Sequence, residues 1–179
     1  MSKKTLLLVA LFAILALAVF GCGQKEPADT GSTGTGEPAA EGGEILVGIM
    51  VPTTGSEATY GKDMENSFNL AVDHINAAGG VNGKMIKTVT ADDACDPQQS
   101  ASAANKLISQ GVVAVVGGYC SGATIPTLTL YNDAKIPFII TAANSSKLAD
   151  ENPGNAFQTN GTAHHQIEKA IEMWNRGGV

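Results

Sequence analysis

Two sulfur atoms carry the most chemistry in this sequence. Cys120 lies in Gly118-Tyr119-Cys120-Ser121-Gly122, a G-x-C-x-G element of the kind that exposes a nucleophile on a sharp turn between strand and helix. His164 and His165, 44 and 45 residues downstream, would then supply a base, and the chain would be a cysteine hydrolase or amidotransferase. Cys95, in Asp92-Asp93-Ala94-Cys95-Asp96-Pro97, offers a different outcome, an oxidised pair. The compartment weighs between the two. Lys3 and Lys4 precede an unbroken apolar run of 15 residues, Leu6 to Phe20, too short for a comfortable membrane span and shaped like an export signal. In an exported protein two cysteines are expected to bridge rather than to serve as a reactive thiolate, so no enzyme is expected. Such a bridge would tie together two loops on the rim of a sheet, where α/β proteins hold their ligands.

The third cysteine, Cys22, closes Val19-Phe20-Gly21-Cys22. A small residue before a cysteine suits cleavage and lipid attachment, and the stretch resembles a bacterial lipobox in which Phe20 is bulkier than usual. Acylated Cys22 would anchor the chain firmly, because more than one acyl chain would be buried. Residues 1–21 are therefore expected to be a lipoprotein signal peptide. Residues 22–43, rich in Gly, Ser, Thr, Pro, Ala and Glu without apolar period, read as a flexible linker. Residues 44–179 are long enough for one core. Setting aside the two lysines of the export segment leaves nine basic residues against 17 acidic ones, a net charge of −8. That sign argues against nucleic acid as a partner.

From Glu44 onward, short β-rich runs alternate with helical patterns. Ile45 to Met50 reads as a strand and Gly61 to Ala77 as a helix, with Met64, Phe68, Ala71, Val72 and Ile75 on one face. Met85 to Ala91 reads as a second strand. Pro97 to Gln110 is the next helix, with Asp96 as N-cap and Pro97 in its first position. Val112 to Val116 reads as a strand buried on both faces, and Gly122 to Asn132 as one helix that tolerates Pro126 in its first turn. Pro137 to Thr141 and the weaker Ala156 to Thr159 follow as strands, and Thr162 to Asn175 as a helix. This alternation predicts α/β architecture, a doubly wound parallel sheet. Val179 reads as the start of a further strand, so the sequence looks cut in mid-pattern.

Four loops should lie beyond the carboxyl ends of the strands: Val51 to Tyr60, Asp92 to Asp96, Gly117 to Thr124 and Thr141 to Ser146. In the third, two glycines, the Ser121 hydroxyl and a helix start could cradle a carboxylate, or Ser121 could simply cap the helix. In the fourth, small Ala142 and Ala143 would let a ligand approach the backbone, and Asn144, Ser145 and Ser146 add short polar groups; a polar turn is the plainer alternative. Tyr60 could wall a pocket or pack on its helix.

Residues Glu44 to Gln166 resemble the amino-terminal lobe of the periplasmic leucine/isoleucine/valine-binding proteins, the substrate receptors of bacterial branched-chain amino-acid importers. The motifs are Thr54-Gly55-Ser56-Glu57-Ala58-Thr59-Tyr60-Gly61, Ile75-Asn76-Ala77-Ala78-Gly79-Gly80-Val81-Asn82-Gly83, Asp92-Asp93-Ala94-Cys95-Asp96-Pro97 and Tyr119-Cys120-Ser121. The resemblance implies one lobe of a type I periplasmic-binding-protein fold and a Cys95–Cys120 disulfide. It places Ser121 on the ligand's α-carboxylate, backbone at Ala142 on its ammonium group and Tyr60 at the pocket wall, with Tyr119, Ala143 and Asn144 completing the ligand-binding set. Asn144 stands where the family commonly has Thr, so the ligand need not be leucine, isoleucine or valine. The implied partners are a small-molecule amino acid and the ABC permease subunits in the membrane, with no cofactor and with location outside the cytoplasm, periplasmic or at the cell surface. The second lobe is expected to be absent here, leaving half a site. The same fold also serves as the ligand-binding domain of sensors.

Other patterns are weaker. His165 and Glu168 are three apart on a helix, which alone makes no metal site. Gly79 to Lys84 lacks the Ser or Thr of a phosphate loop. Asp92-Asp93 reads as a solvated loop rather than a cation site. Trp174 and Phe157 read as core or lobe-packing residues.

Overall fold

The computed structural model describes residues 42–177. The export segment, Cys22, nearly all of the linker and the strand start expected at Val179 lie outside the described residues. The elements, in chain order, are β1 (Gly42–Val51), α1 (Ala58–Ala77), β2 (Lys84–Asp92), α2 (Pro97–Ser109), β3 (Ala114–Gly117), α3 (Ser121–Thr124), α4 (Thr127–Asp133), β4 (Phe138–Ile140), α5 (Lys147–Asp150), β5 (Ala156–Gln158) and α6 (Ala163–Arg176). The strands form one sheet in the order β2-β1-β3-β4-β5, and every neighbouring pair is parallel. The expected doubly wound α/β sheet is therefore the one observed.

One face of the sheet holds the core. Met50, Ala91, Val115, Phe138, Ile140 and Ala156 are buried there, against Ala103, Ala104 and Leu107 of α2 and Leu128 and Tyr131 of α4. The Tyr131 ring meets Phe138 edge-on at 5.1 Å, and its hydroxyl donates to Met50 Sδ at 3.2 Å, so the phenol enters the core with its polar end bonded. Asp96 caps α2 as expected, accepting from the Gln98 and Gln99 amides, with Pro97 behind it.

On the opposite face α1 covers β1 and β2. Its contact side is not the predicted apolar stripe. Met64, Phe68 and Val72 are half-buried, but Ala71 and Ile75 are exposed, and Glu65, Asn69 and Asn76 take their place. The cause lies in β2, an edge strand whose inward side carries Thr88 and Thr90. Thr88 donates to Asn69 and Thr90 to Glu65, while Asn76 bonds both the amide and the carbonyl of Ile86 at 2.8 Å. The helix is thus rotated toward polar partners that also occupy open backbone groups of the strand.

Three further expectations are corrected. The helix drawn through Gly122 to Asn132 is two, α3 and α4, because Pro126 has no N–H to continue the first and instead opens the second. The strand drawn from Val112 starts at Ala114, and Val113 is 56% exposed at the sheet's amino end. Of the two roles expected for Phe157 and Trp174, core or lobe packing, exposures of 54% and 63% exclude the core within the described residues and leave lobe packing open. α6 buries none of its residues.

Candidate functional site at the carboxyl ends of the strands

The strand order places β1 between β2 and β3. The chain leaves β1 toward β2 and leaves β3 toward β4, so the loops after β1 and β3 diverge and open a crevice at their carboxyl ends. The sequence-predicted site residues gather on this rim.

The disulfide is formed between Cys95 and Cys120, with a Cα–Cα separation of 5.3 Å. It joins the loop after β2 to the loop after β3, across the end of β1. Ala94 and Cys95 both adopt left-handed backbone, φ 45° and 57°, which non-glycine residues avoid. Since the Cys120 sulfur is bonded, it is no nucleophile. The candidate base is equally ill-placed: His164 faces Glu168 at 3.2 Å on the exposed surface of α6, and His165 is tied to Thr162 at the helix start.

The two aspartates before the bridge are not a solvated loop. The Asp92 carboxylate accepts from the amides of Thr53 and Ala94 at 2.8 and 2.9 Å, from the Thr54 hydroxyl at 2.5 Å and, at 3.3 Å, from the Thr54 amide and the Gln99 side chain. It therefore holds the loop after β1. Burial raises its pKa, but the donors from Thr54, Thr53 and Ala94 outweigh burial and set it below the ordinary carboxylate value. Asp93 points the other way, into the core, with no exposed surface. One oxygen accepts from the Cys95 amide at 2.9 Å, and the other has no partner. Burial pushes its pKa up, with Asp92 adding to the rise. Asp93 in turn raises the Tyr131 phenol, which burial has already lifted. The period-2 alternation of β2 was the available signal for these two roles: consecutive residues at a strand end point to opposite faces.

Ser121 opens α3, but it is not its cap; Cys120 holds that position and makes no side-chain capping hydrogen bond. The Ser121 Oγ instead accepts from the amides of Asn144 and Ser145, each at 3.2 Å, and so draws the loop after β4 against the loop after β3. A hydroxyl has two acceptor sites and one proton. Both acceptor sites are filled, and the hydroxyl makes no hydrogen bond as donor to another described residue. The Ala142 carbonyl accepts from Asn160 at 3.0 Å and keeps its second lone pair. Ala143 is 1% exposed; its amide donates to Gly118, and its carbonyl accepts from Gln158 and Asn160. It belongs to the frame that holds Ala142 in place. Asn144 is half-buried, and its carbonyl takes the Ala163 amide at 2.7 Å. Gln158, read only as part of a weak strand, and Asn160, just beyond it, are the side chains that lock this loop.

Tyr60, 55% exposed in the first turn of α1, stacks on Tyr119 with ring centroids 5.5 Å apart and planes 13° from parallel. The Tyr119 phenol is raised by partial burial and by the Glu57 carboxylate that faces it. Gly61 lets this arrangement form: a Cβ there would lie 1.7 Å from the Pro52 carbonyl oxygen. Among the described residues no cluster of three or more metal-ligating side chains occurs, and no helix is long and apolar enough to cross a membrane.

Comparison with known proteins agrees with this geometry. The family described as periplasmic binding protein matches residues 44–179. The leucine-, isoleucine-, valine-, threonine- and alanine-binding protein of Pseudomonas aeruginosa is 34% identical over 166 residues, 93% of this chain and 40% of its own length. A branched-chain amino acid transporter substrate binding protein from Streptococcus pneumoniae, solved with isoleucine, is 34% identical with a TM-score of 0.63, over 66% of this chain and 34% of its own. A solute binding protein of an ABC transporter from Rhodopseudomonas palustris, solved with 3,4-dihydroxybenzoic acid, is 32% identical with a TM-score of 0.59, over 66% of this chain and 32% of its own. The chain spans about a third of the length of the curated relatives it matches.

Proposed function

The chain belongs to the periplasmic binding protein family, and from that premise we propose that it is the amino-terminal lobe of an extracytoplasmic substrate-binding lipoprotein, tethered through acylated Cys22 and the linker of residues 22–43, that serves an ABC importer. Its ligand is a small carboxylate, a branched-chain or related amino acid. One observation carries the reading: the Ser121 hydroxyl has both acceptor sites filled by backbone amides, which would leave its proton for a ligand oxygen. The carboxylate is the natural acceptor, since hydrogen bonds to charged groups are roughly twice as strong as neutral ones. The Ala142 carbonyl, held by Asn160, supports the reading by offering an acceptor to the ligand's ammonium group. The stacked tyrosines would wall the side chain, and residues 44–179 would supply one side of the site.

Titration of L-leucine, L-isoleucine and L-valine, and of leucinamide, by calorimetry or NMR tests this. Because residues 44–179 supply one side of the site, the amino acids are expected to bind weakly, and leucinamide, which lacks the carboxylate, more weakly still. Ser121→Ala should weaken binding about 10- to 150-fold, the equivalent of 1.5–3 kcal/mol for a hydrogen bond to a charged group. Leucinamide binding as tightly as leucine, or a Ser121→Ala variant of undiminished affinity, would refute the carboxylate role.

A further inference from the structure

The aromatic pair at the crevice narrows the ligand class. Tyr60 comes from the β1 side of the switch point and Tyr119 from the β3 side, so the two rings meet where the sheet's topology places a ligand. They are nearly parallel, 13° apart, and Tyr60 keeps 55% of its surface in solvent. A stacked pair with an open outer side presents a flat π surface to the crevice. The loop that leads to Tyr60 is also held before any ligand arrives: Asp92 binds its Thr53–Thr54 segment. A prearranged aromatic surface needs little ordering on binding. Tyr119 is separated from Ser121 by Cys120 alone, whose backbone is extended at φ −86° and ψ 118°. Two extended residues span about 7 Å, so a carboxylate on Ser121 and a ring against the tyrosines fit within one small molecule.

We propose that the preferred ligand is a carboxylate bearing a planar aromatic ring, which lies against the Tyr60–Tyr119 stack while Ser121 takes the carboxylate. This rests on the assignment of Ser121 to the carboxylate. An aliphatic side chain would gain dispersion at the same surface, but an aromatic ring also gains the edge and face electrostatics of a third stacked partner. That preference is worth about two- to tenfold in affinity.

The test compares L-phenylalanine, L-tyrosine and 4-hydroxybenzoate with L-leucine, by NMR titration of the oxidised chain and of its Tyr119→Leu and Tyr119→Phe variants. Aromatic carboxylates are expected to bind about two- to tenfold tighter than leucine. Tyr119→Leu should erase the difference and Tyr119→Phe should keep it. The amino acids and 4-hydroxybenzoate separate a ligand that needs its ammonium group from one that does not. Preferential binding of leucine by the unaltered chain overturns this inference and leaves the carboxylate role of Ser121 intact, as does a preference that survives in Tyr119→Leu. Failure of every carboxylate to bind overturns both. Should Tyr119→Leu not fold, the order of affinities in the unaltered chain decides the matter.

Discussion

Cutting the Cys95–Cys120 bridge, by reduction or by the Cys95→Ala/Cys120→Ala double replacement, should destabilise the domain by an amount that the structure bounds from two sides. The bridged residues are 25 apart in sequence. In the chain-entropy account a closed loop of that length is worth about 3.5 kcal/mol, released to the unfolded chain when the link is lost. Against this stands the left-handed backbone of Ala94 and Cys95. Each such residue carries about 1–2 kcal/mol of steric strain, part of which the freed loop can relax. The expected loss is therefore between about 1.5 and 3.5 kcal/mol. With a urea dependence of about 2 kcal/mol per molar, the unfolding midpoint should fall by about 0.8–1.7 M. The assay is urea unfolding of oxidised and reduced protein, followed by far-UV circular dichroism, with free thiols counted in each sample. Coincident midpoints would refute the reasoning, and so would two reactive thiols in the native protein.

Gly61→Ala should cost about 3 kcal/mol or more, because its Cβ meets the backbone of buried Pro52 rather than a yielding side chain. Gly122→Ala, whose Cβ meets nothing within 4 Å, should change the thermal midpoint little and in the stabilising direction. The two aspartates should give opposite pH dependences in urea midpoints. Asp92, lowered in the fold, contributes stability that is complete above its unfolded pKa near 3.9 and is lost as pH falls through the folded value; Asp92→Asn should remove that acid limb. Asp93 is raised, so the folded state holds its proton more tightly and stability declines as pH rises from about 3.9 through the folded value. Asp93→Asn keeps an oxygen for the Cys95 amide, so it should raise the midpoint at neutral pH and flatten that decline. A neutral-pH midpoint lowered by Asp93→Asn would contradict the burial argument.

The parts of this fold that a sequence shows well are those set by local chemistry. Asp96 and Pro97 announce the start of α2 because capping involves adjacent residues. The β1, β2, β4 and β5 runs are visible in apolar, β-rich composition. The failures have tertiary causes. Apolar periodicity put Ala71 and Ile75 on the contact side of α1, but Thr88 and Thr90, 19 and 25 residues from their partners, turned the helix toward Asn69 and Glu65. Five consecutive apolar residues at Val112 suggested burial on both faces, a property of what packs above the strand and not of the strand. The site divides in the same way. The placement of Ser121, Tyr60, Ala142 and the cysteines on the rim was legible because they lie in loops at the carboxyl ends of strands. Asp92, Gln158 and Asn160 were missed because their work consists of bonds to backbone groups remote in sequence, and no local pattern marks such a bond.

The bridge also spans the strand that separates its two ends. β1 lies between the two strands whose ends the sulfurs connect, so Cys95 and Cys120 reach each other only by arching over it. Strands two places apart in a sheet are about 9.6 Å apart, and the cysteine Cα atoms sit at 5.3 Å. Until β1 is seated, nothing holds the flanking loops at the separation and angle that bonding requires. Oxidation thereby becomes a checkpoint: thiols that stay open in a newly made chain would signal that its first strand has not yet found its slot.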